Sequence, residues 1–146
     1  MPKNLRVLMI ASEYAPYAKT GGLADAVAGL SGALAELGHQ VTVVIPGYRG
    51  LTEGTEDAGT VHVTLGAMRT SFDVALRQLR TPDDVQLVLV DDPAFASRDT
   101  YYGERGGDYS DNAYRFALLS RTALAYATRG KLFPVEFSRS DAGPGK

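Results

Sequence analysis

Two periodicities alternate along the first half of the chain. Leu5–Ser12, LRVLMIAS, is an almost unbroken apolar run. It predicts a strand of a parallel sheet, buried on both faces. Glu13–Gly22, EYAPYAKTGG, breaks the run. Pro16 disfavours helix at Ala15, so this segment reads as a loop. From Leu23 the period becomes helical. Leu23, Ala26, Val27, Leu30, Leu34 and Leu37 recur at three- and four-residue spacing and predict a helix with that face inward. Gly38 suits the left-handed position that ends a helix. Gln40–Pro46, QVTVVIP, is the next strand. Strand, glycine loop, helix and strand make a βαβ unit of ordinary size.

Further on the pattern changes again. Gly47–Gly59 is glycine-rich and poor in apolar residues, and reads as a loop. Val61, Val63 and Leu65 alternate with polar residues, as do Phe72, Val74 and Leu76. This alternation predicts two antiparallel strands joined near GAMRT. The phase slips at Gln78–Leu79, which suggests a bulge there. Val85–Asp92 is a second buried strand. Asp91 and Asp92 lie at its carboxyl end, where open α/β sheets place their crevices. Pro93–Asn112 is a long polar loop with several tyrosines, and Ser110 or Asp111 can cap the next helix. Ala113–Ala127 is apolar nearly all round and predicts a well-buried helix. The last residues, Ser138–Gly145, lose periodicity and read as a solvated tail.

The chain has 146 residues, enough for one domain and too few for two ordinary ones. A formal net charge of −2 without a basic stripe argues against general attraction to nucleic acid or anionic lipid. Any bound anion must be held by local geometry. Cysteine is absent, which excludes disulfides, thiolate metal sites and cysteine nucleophiles. The two histidines, His39 and His62, sit in ordinary element contexts, so no metal site and no cofactor are expected. The opening apolar run is too short for a membrane span or a secretory h-region, and a cytoplasmic location is expected.

The candidate chemistry lies at the glycine loop. The first amides of a helix have no internal partners, and the helix dipole adds positive charge there. Glycines let a ligand approach the backbone. A phosphate suits such a place, and Lys19 adds a full charge on a flexible stem. Alternatively, Gly21–Gly22 only makes a tight turn and Lys19 is solvated. Neither the P-loop order nor G-x-G-x-x-G is present. Asp25 in the first helical turn complements the dipole, or hydrogen-bonds a sugar hydroxyl or the loop backbone. Glu13 stands at the mouth of the same crevice, either exposed or accepting sugar hydroxyls. Asp111, Asn112 and Arg115 form a second polar cluster, which Asp111 as an N-cap with Arg115 as its i+4 partner explains structurally. Tyr101, Tyr102 and Tyr109 stack on sugars or fasten the loop to the core.

The stretch from Val7 to Tyr48 resembles the opening of bacterial glycogen synthases and plant starch synthases. These carry S-E-x-x-P, then K-x-G-G-L-x-D, then G-H-x-V-x-V-x-x-P. The matching residues are Ser12, Glu13, Pro16, Lys19, Gly21, Gly22, Leu23, Asp25, Gly38, His39, Val41, Val43 and Pro46. YSDNAYRFALLSRTAL is similar to the family's D-N-x-x-R-F segment, so the resemblance covers roughly residues 5–127.

The resemblance implies the amino-terminal half of a two-domain GT-B glycosyltransferase, with a Rossmann-like α/β sheet, flanking helices and an antiparallel hairpin. It implies retaining transfer of glucose from ADP-glucose to the non-reducing end of an α-1,4-glucan, without a required metal ion. It places Lys19 on the sugar nucleotide, with Gly21 and Gly22 lining the donor phosphates. The motifs of the family's second domain, which holds most of the donor site, are missing from this chain. Residues 1–137 are therefore expected to be an incomplete amino-terminal domain, with 138–146 as the tail, and to be inactive alone. A UDP- or GDP-sugar glycosyltransferase of the same architecture, a non-catalytic glucan-binding module and a flavodoxin-like domain remain as other readings.

Overall fold

The computed structural model describes residues 3–129, so the expected tail at 138–146 lies outside the described residues. The sheet is built from β1 (Arg6–Ile10), β2 (Gln40–Pro46), β3 (Glu56–Leu65), β4 (Thr70–Arg80) and β5 (Gln86–Asp91). Its order is β1-β2-β5-β4-β3. β1, β2 and β5 run parallel, while β4 is antiparallel to both β5 and β3. Helix α1 (Gly22–Glu36) makes the crossover from β1 to β2, and α3 (Asn112–Thr128) packs across β1, β2 and β3. The α/β sheet with helices and a hairpin agrees with the sequence pattern.

Hydrophobic patterning fails in three places. α3, expected to be buried nearly all round, buries one face, with Leu118, Leu119, Ala123 and Tyr126 inward and Tyr114 and Leu124 exposed. β1 is a sheet edge among the described residues, and Val7, Leu8 and Met9 are only half-buried. Its continuous apolar run reads as an interior strand because composition carries no information on neighbours. β2 and β5, which do sit inside the sheet, have Val43, Val44, Ile45, Leu87, Val88, Leu89 and Val90 fully buried.

The third failure is α1. The face turned to the sheet carries Ala24, Val27 and Ser31, with Ala28, Leu34 and Ala35 packed at its margin. Leu23, Leu30 and Leu37, expected inside, are 49%, 55% and 71% exposed. Small residues let the helix lie close to the sheet, and the Ser31 hydroxyl donates to Ala28 O and Tyr14 Oη. Gly38 ends the helix as expected, at φ 91°, with the His39 amide donating to Leu34 O.

The β3–β4 pair is antiparallel, with Val61, Val63, Val74 and Leu76 inward. The irregularity sits in β3, not at Gln78–Leu79. Asp57 faces Arg77 and Thr60 faces Ala75, so three steps on β3 match two on β4. β3 thus begins inside the segment expected to be loop. The expected loop after β5 contains a one-turn helix, α2 (Pro93–Ala96), and a two-residue hairpin, β6 (Gly103–Glu104) and β7 (Gly107–Asp108). Asp92 caps α2, its Oδ1 accepting from the Ala94 amide at 2.8 Å.

Candidate active site

The carboxyl ends of the three parallel strands meet at one edge, as the topology requires. After β1 the chain gives Ser12 and Glu13, after β2 Gly47 and Tyr48, and after β5 the loop that holds Tyr101 and Tyr102. Tyr48 ties them together. Its hydroxyl donates to Ser12 O at 2.9 Å, and its ring stacks on Tyr101 with centroids 3.8 Å apart and planes 9° off parallel. Burial, with Tyr102 nearby, pushes the Tyr48 hydroxyl pKa up, so it stays a donor.

Glu13 is buried, 3% exposed; the expectation of an exposed carboxylate is corrected. Oε1 accepts from the Thr20 amide at 2.5 Å and from Thr20 Oγ1 at 2.8 Å. Oε2 accepts from Tyr102 Oη at 2.6 Å. Burial alone would raise this carboxyl's pKa, but the bonds from Tyr102, from Thr20 and from the Gly21 amide together hold it below 4.5. Tyr102 is pushed up to about 12, by burial first and then by the bond to Glu13. At neutral pH the pair is therefore a phenol donating to a carboxylate. Glu13 serves as an internal anion for the loop that leads into α1.

Lys19 and Asp25 face the solvent beyond that carboxylate. Nζ donates to both Asp25 oxygens, at 2.8 and 2.7 Å, with side chains 47% and 58% exposed. Asp25 is thus the counter-ion of Lys19 in the free protein. Gly21 caps α1 without a side-chain bond, so the first-turn amides from Gly22 onward remain to be satisfied from outside.

The two glycines are not demanded by the fold. Gly21 has φ −165°, an extended conformation open to any residue. Neither glycine has positive φ. A Cβ built on either would meet nothing within 4 Å. The tight-turn explanation therefore does not account for them.

The third cluster differs from its expected form. Asp111 does not pair with Arg115; it takes a two-point ion pair from Arg98, at 2.6 and 2.9 Å. Arg115 instead turns inward beneath the tyrosine loop. Tyr109 fastens that loop, its hydroxyl sharing a hydrogen bond with Thr100 Oγ1 and its ring lying 4.1 Å under Arg98. Spacing marks Asn112 and Arg115 as polar positions but not their partners in the tyrosine loop, and it gives no sign of Tyr48, because each acts across the fold.

A profile of the starch synthase catalytic domain matches residues 6–137. The chain belongs to that family. Curated relatives include glycogen synthase 2 of Geobacter sulfurreducens, 42% identical over an alignment of 133 positions that covers 86% of this chain and 26% of the relative. The glycogen synthase of Koribacter versatilis is 40% identical over an alignment of 125 positions that covers 82% of this chain and 25% of the relative. Among solved structures, the catalytic domain of Arabidopsis thaliana starch synthase IV, bound to ADP and acarbose, superposes with a TM-score of 0.70 at 28% identity, covering 86% of this chain and 25% of that one. The chain spans about a quarter of the length of these relatives. The sheet described above is thus that of a glycosyltransferase family with the GT-B fold. No helix among the described residues is long and apolar enough to cross a membrane.

Proposed function

We propose that the chain is the amino-terminal, donor-facing wall of a retaining glucosyltransferase of the glycogen and starch synthase kind. The whole enzyme transfers glucose from ADP-glucose to the non-reducing end of an α-1,4-glucan, in the cytoplasm, with residues 1–137 as part of its first domain. One observation carries the reading: a glycine pair that neither backbone conformation nor packing calls for, at an uncapped helix start beside an exposed cation. Side chains there would stand between a ligand and the amides.

In this reading the donor diphosphate lies over Gly21 and Gly22, and Lys19 exchanges Asp25 for a phosphate oxygen. As the glucosyl bond breaks, negative charge grows on the departing ADP. A cation and fixed amides stabilise that charge more than the ground state. Glu13 contributes by holding the loop, and Asp25 by holding Lys19 when no donor is bound. The family membership and the ADP in the Arabidopsis relative support the choice of nucleotide.

The chain alone supplies one wall of a cleft, so most of the orientation and water exclusion that drive transfer are missing. The test has two parts. Labelled ADP-glucose incubated with glycogen and the 146-residue chain should give no incorporation; robust incorporation contradicts the one-wall reading. An amide-resolved NMR titration should show ADP shifting Lys19, Gly21 and Gly22, with UDP and GDP weaker. Shifts confined to other residues refute the donor site.

A further inference from the structure

Arg115 is the largest fully buried side chain among the described residues. Its guanidinium meets no carboxylate there. Nε donates to Ala94 O at 2.8 Å, and Nη1 to Tyr101 O at 2.7 Å and Asn112 Oδ1 at 2.8 Å. Nη2 is buried without a partner. Desolvation leads the causes that lower the pKa of this group. A buried charge held by neutral acceptors is a costly way to fill a core, and an apolar side chain of similar volume generally serves stability as well. The arrangement calls for a reason other than packing.

The reason lies in what Arg115 and Asn112 hold. Asn112 Nδ2 donates to Tyr102 O at 2.7 Å. The first turn of α3 therefore grips two consecutive carbonyls, those of Tyr101 and Tyr102, in the segment between α2 and α3, whose regular structure is the short β6–β7 hairpin. The side chains of the same two residues reach the segment that leads into the glycine loop. The Tyr101 ring stacks on Tyr48, whose hydroxyl donates to Ser12 O at 2.9 Å, and the Tyr102 hydroxyl bonds Ser12 Oγ and Glu13 Oε2 at 2.8 and 2.6 Å. Glu13 in turn takes the Thr20 amide.

We propose that Asn112 and Arg115 are positioning residues for the donor site: by fixing the Tyr101 and Tyr102 carbonyls they set the Tyr101 ring and the Tyr102 hydroxyl, and through Glu13 the 19–22 loop that offers Lys19 and the helix amides to a diphosphate. The proposal rests on the donor-site reading for its purpose, but the mechanical link stands on the contacts alone. A merely structural pair would tie α3 to α2 through Ala94 and leave the glycine loop unaffected.

Asn112→Asp separates the two roles. It keeps an oxygen for Arg115 Nη1 and adds an acid where a helix start favours one, but it removes the donor to Tyr102 O. Asn112→Ala and Arg115→Met complete the set. In the 15N-labelled 146-residue chain, each variant is expected to shift the Lys19 and Thr20 amides, to raise the Glu13 titration midpoint, and to weaken ADP binding about tenfold through loss of one oriented contact. Asn112→Asp should do so with its melting temperature unchanged or higher. Unmoved Lys19 and Thr20 amides in folded Asn112 variants, with ADP affinity within about twofold of wild type, overturn the proposal. So does loss of the fold in all three, which makes the pair a stability element. If the wild type binds no ADP, the donor-site reading falls, and the amide shifts and Glu13 titration still decide the link.

Discussion

Asp25 grips Lys19 with both carboxylate oxygens, at 2.7 and 2.8 Å, across six residues that include the glycine pair. The cation proposed to meet a diphosphate is already engaged by an acid from the first turn of α1. Both groups are about half exposed, so water screens the pair and the bond exchanges readily.

Removing either partner should therefore have opposite effects on ADP. Lys19→Gln loses a charge-assisted contact and is expected to weaken ADP binding about tenfold. Asp25→Asn frees Lys19 and deletes a negative charge beside the diphosphate, and should tighten binding about two- to fivefold. NMR titrations of the two variants check this. Weaker ADP binding in Asp25→Asn means the carboxylate itself serves the ligand.

The glycine pair should separate stability from binding. Gly21→Ala and Gly22→Ala meet open space and unstrained backbone. Folding free energy should change by no more than about 0.5 kcal/mol, with Gly22→Ala favourable because alanine restricts the unfolded chain. ADP-induced shifts at the same residues should shrink in both variants. Urea unfolding beside the titration tests the pairing; a stability loss above about 2 kcal/mol in either variant would show that the fold needs the glycine after all.

Glu13 gives the site an acid limit. Its carboxyl is held below 4.5 by Tyr102, Thr20 and Gly21 against the effect of burial. The folded state thus binds its proton more weakly than the unfolded state. The stabilisation is complete above the unfolded value, 4.5, and disappears as pH falls through the lower folded value. Melting temperatures of wild type and Glu13→Gln, measured from about pH 7 to pH 3, should converge on the acid side. A gap that widens below pH 4.5 contradicts the assignment.

The inward face of α1 is the small one. Leu30→Ser, at a position 55% exposed, should change stability by about 0.5 kcal/mol or less. Ser31→Leu forces bulk into a fully buried position beside Tyr14, and should cost about 1–3 kcal/mol. Denaturant midpoints of the two variants rank the faces directly. The reverse order restores the leucine face that periodicity predicts.

The candidate site is partly legible in the sequence. Lys19, Gly21, Gly22 and Asp25 lie within seven residues, and their chemistry follows from a loop that opens a helix. The end of the first strand puts Glu13 at the crevice mouth, but its burial has no local signal: whether a carboxylate is exposed depends on Tyr102, 89 positions away. Helical spacing pairs Arg115 with Asp111 because i and i+4 are neighbours on a helix. Arg98 reaches Asp111 from another segment, leaving Arg115 to turn inward.

The order of the five main strands and of α1 and α3, the end of α1 at Gly38 and the inward alternation of the β3–β4 pair were all determined by the sequence alone. Each depends on backbone preferences and side-chain periods that act within a few residues. Tertiary structure decided which strand stands at the edge among the described residues, which face of α1 met the sheet, and which partners Glu13 and Arg115 took. Those outcomes depend on burial and on hydrogen bonds between distant segments, and such contacts exist only once the sheet has brought the segments together.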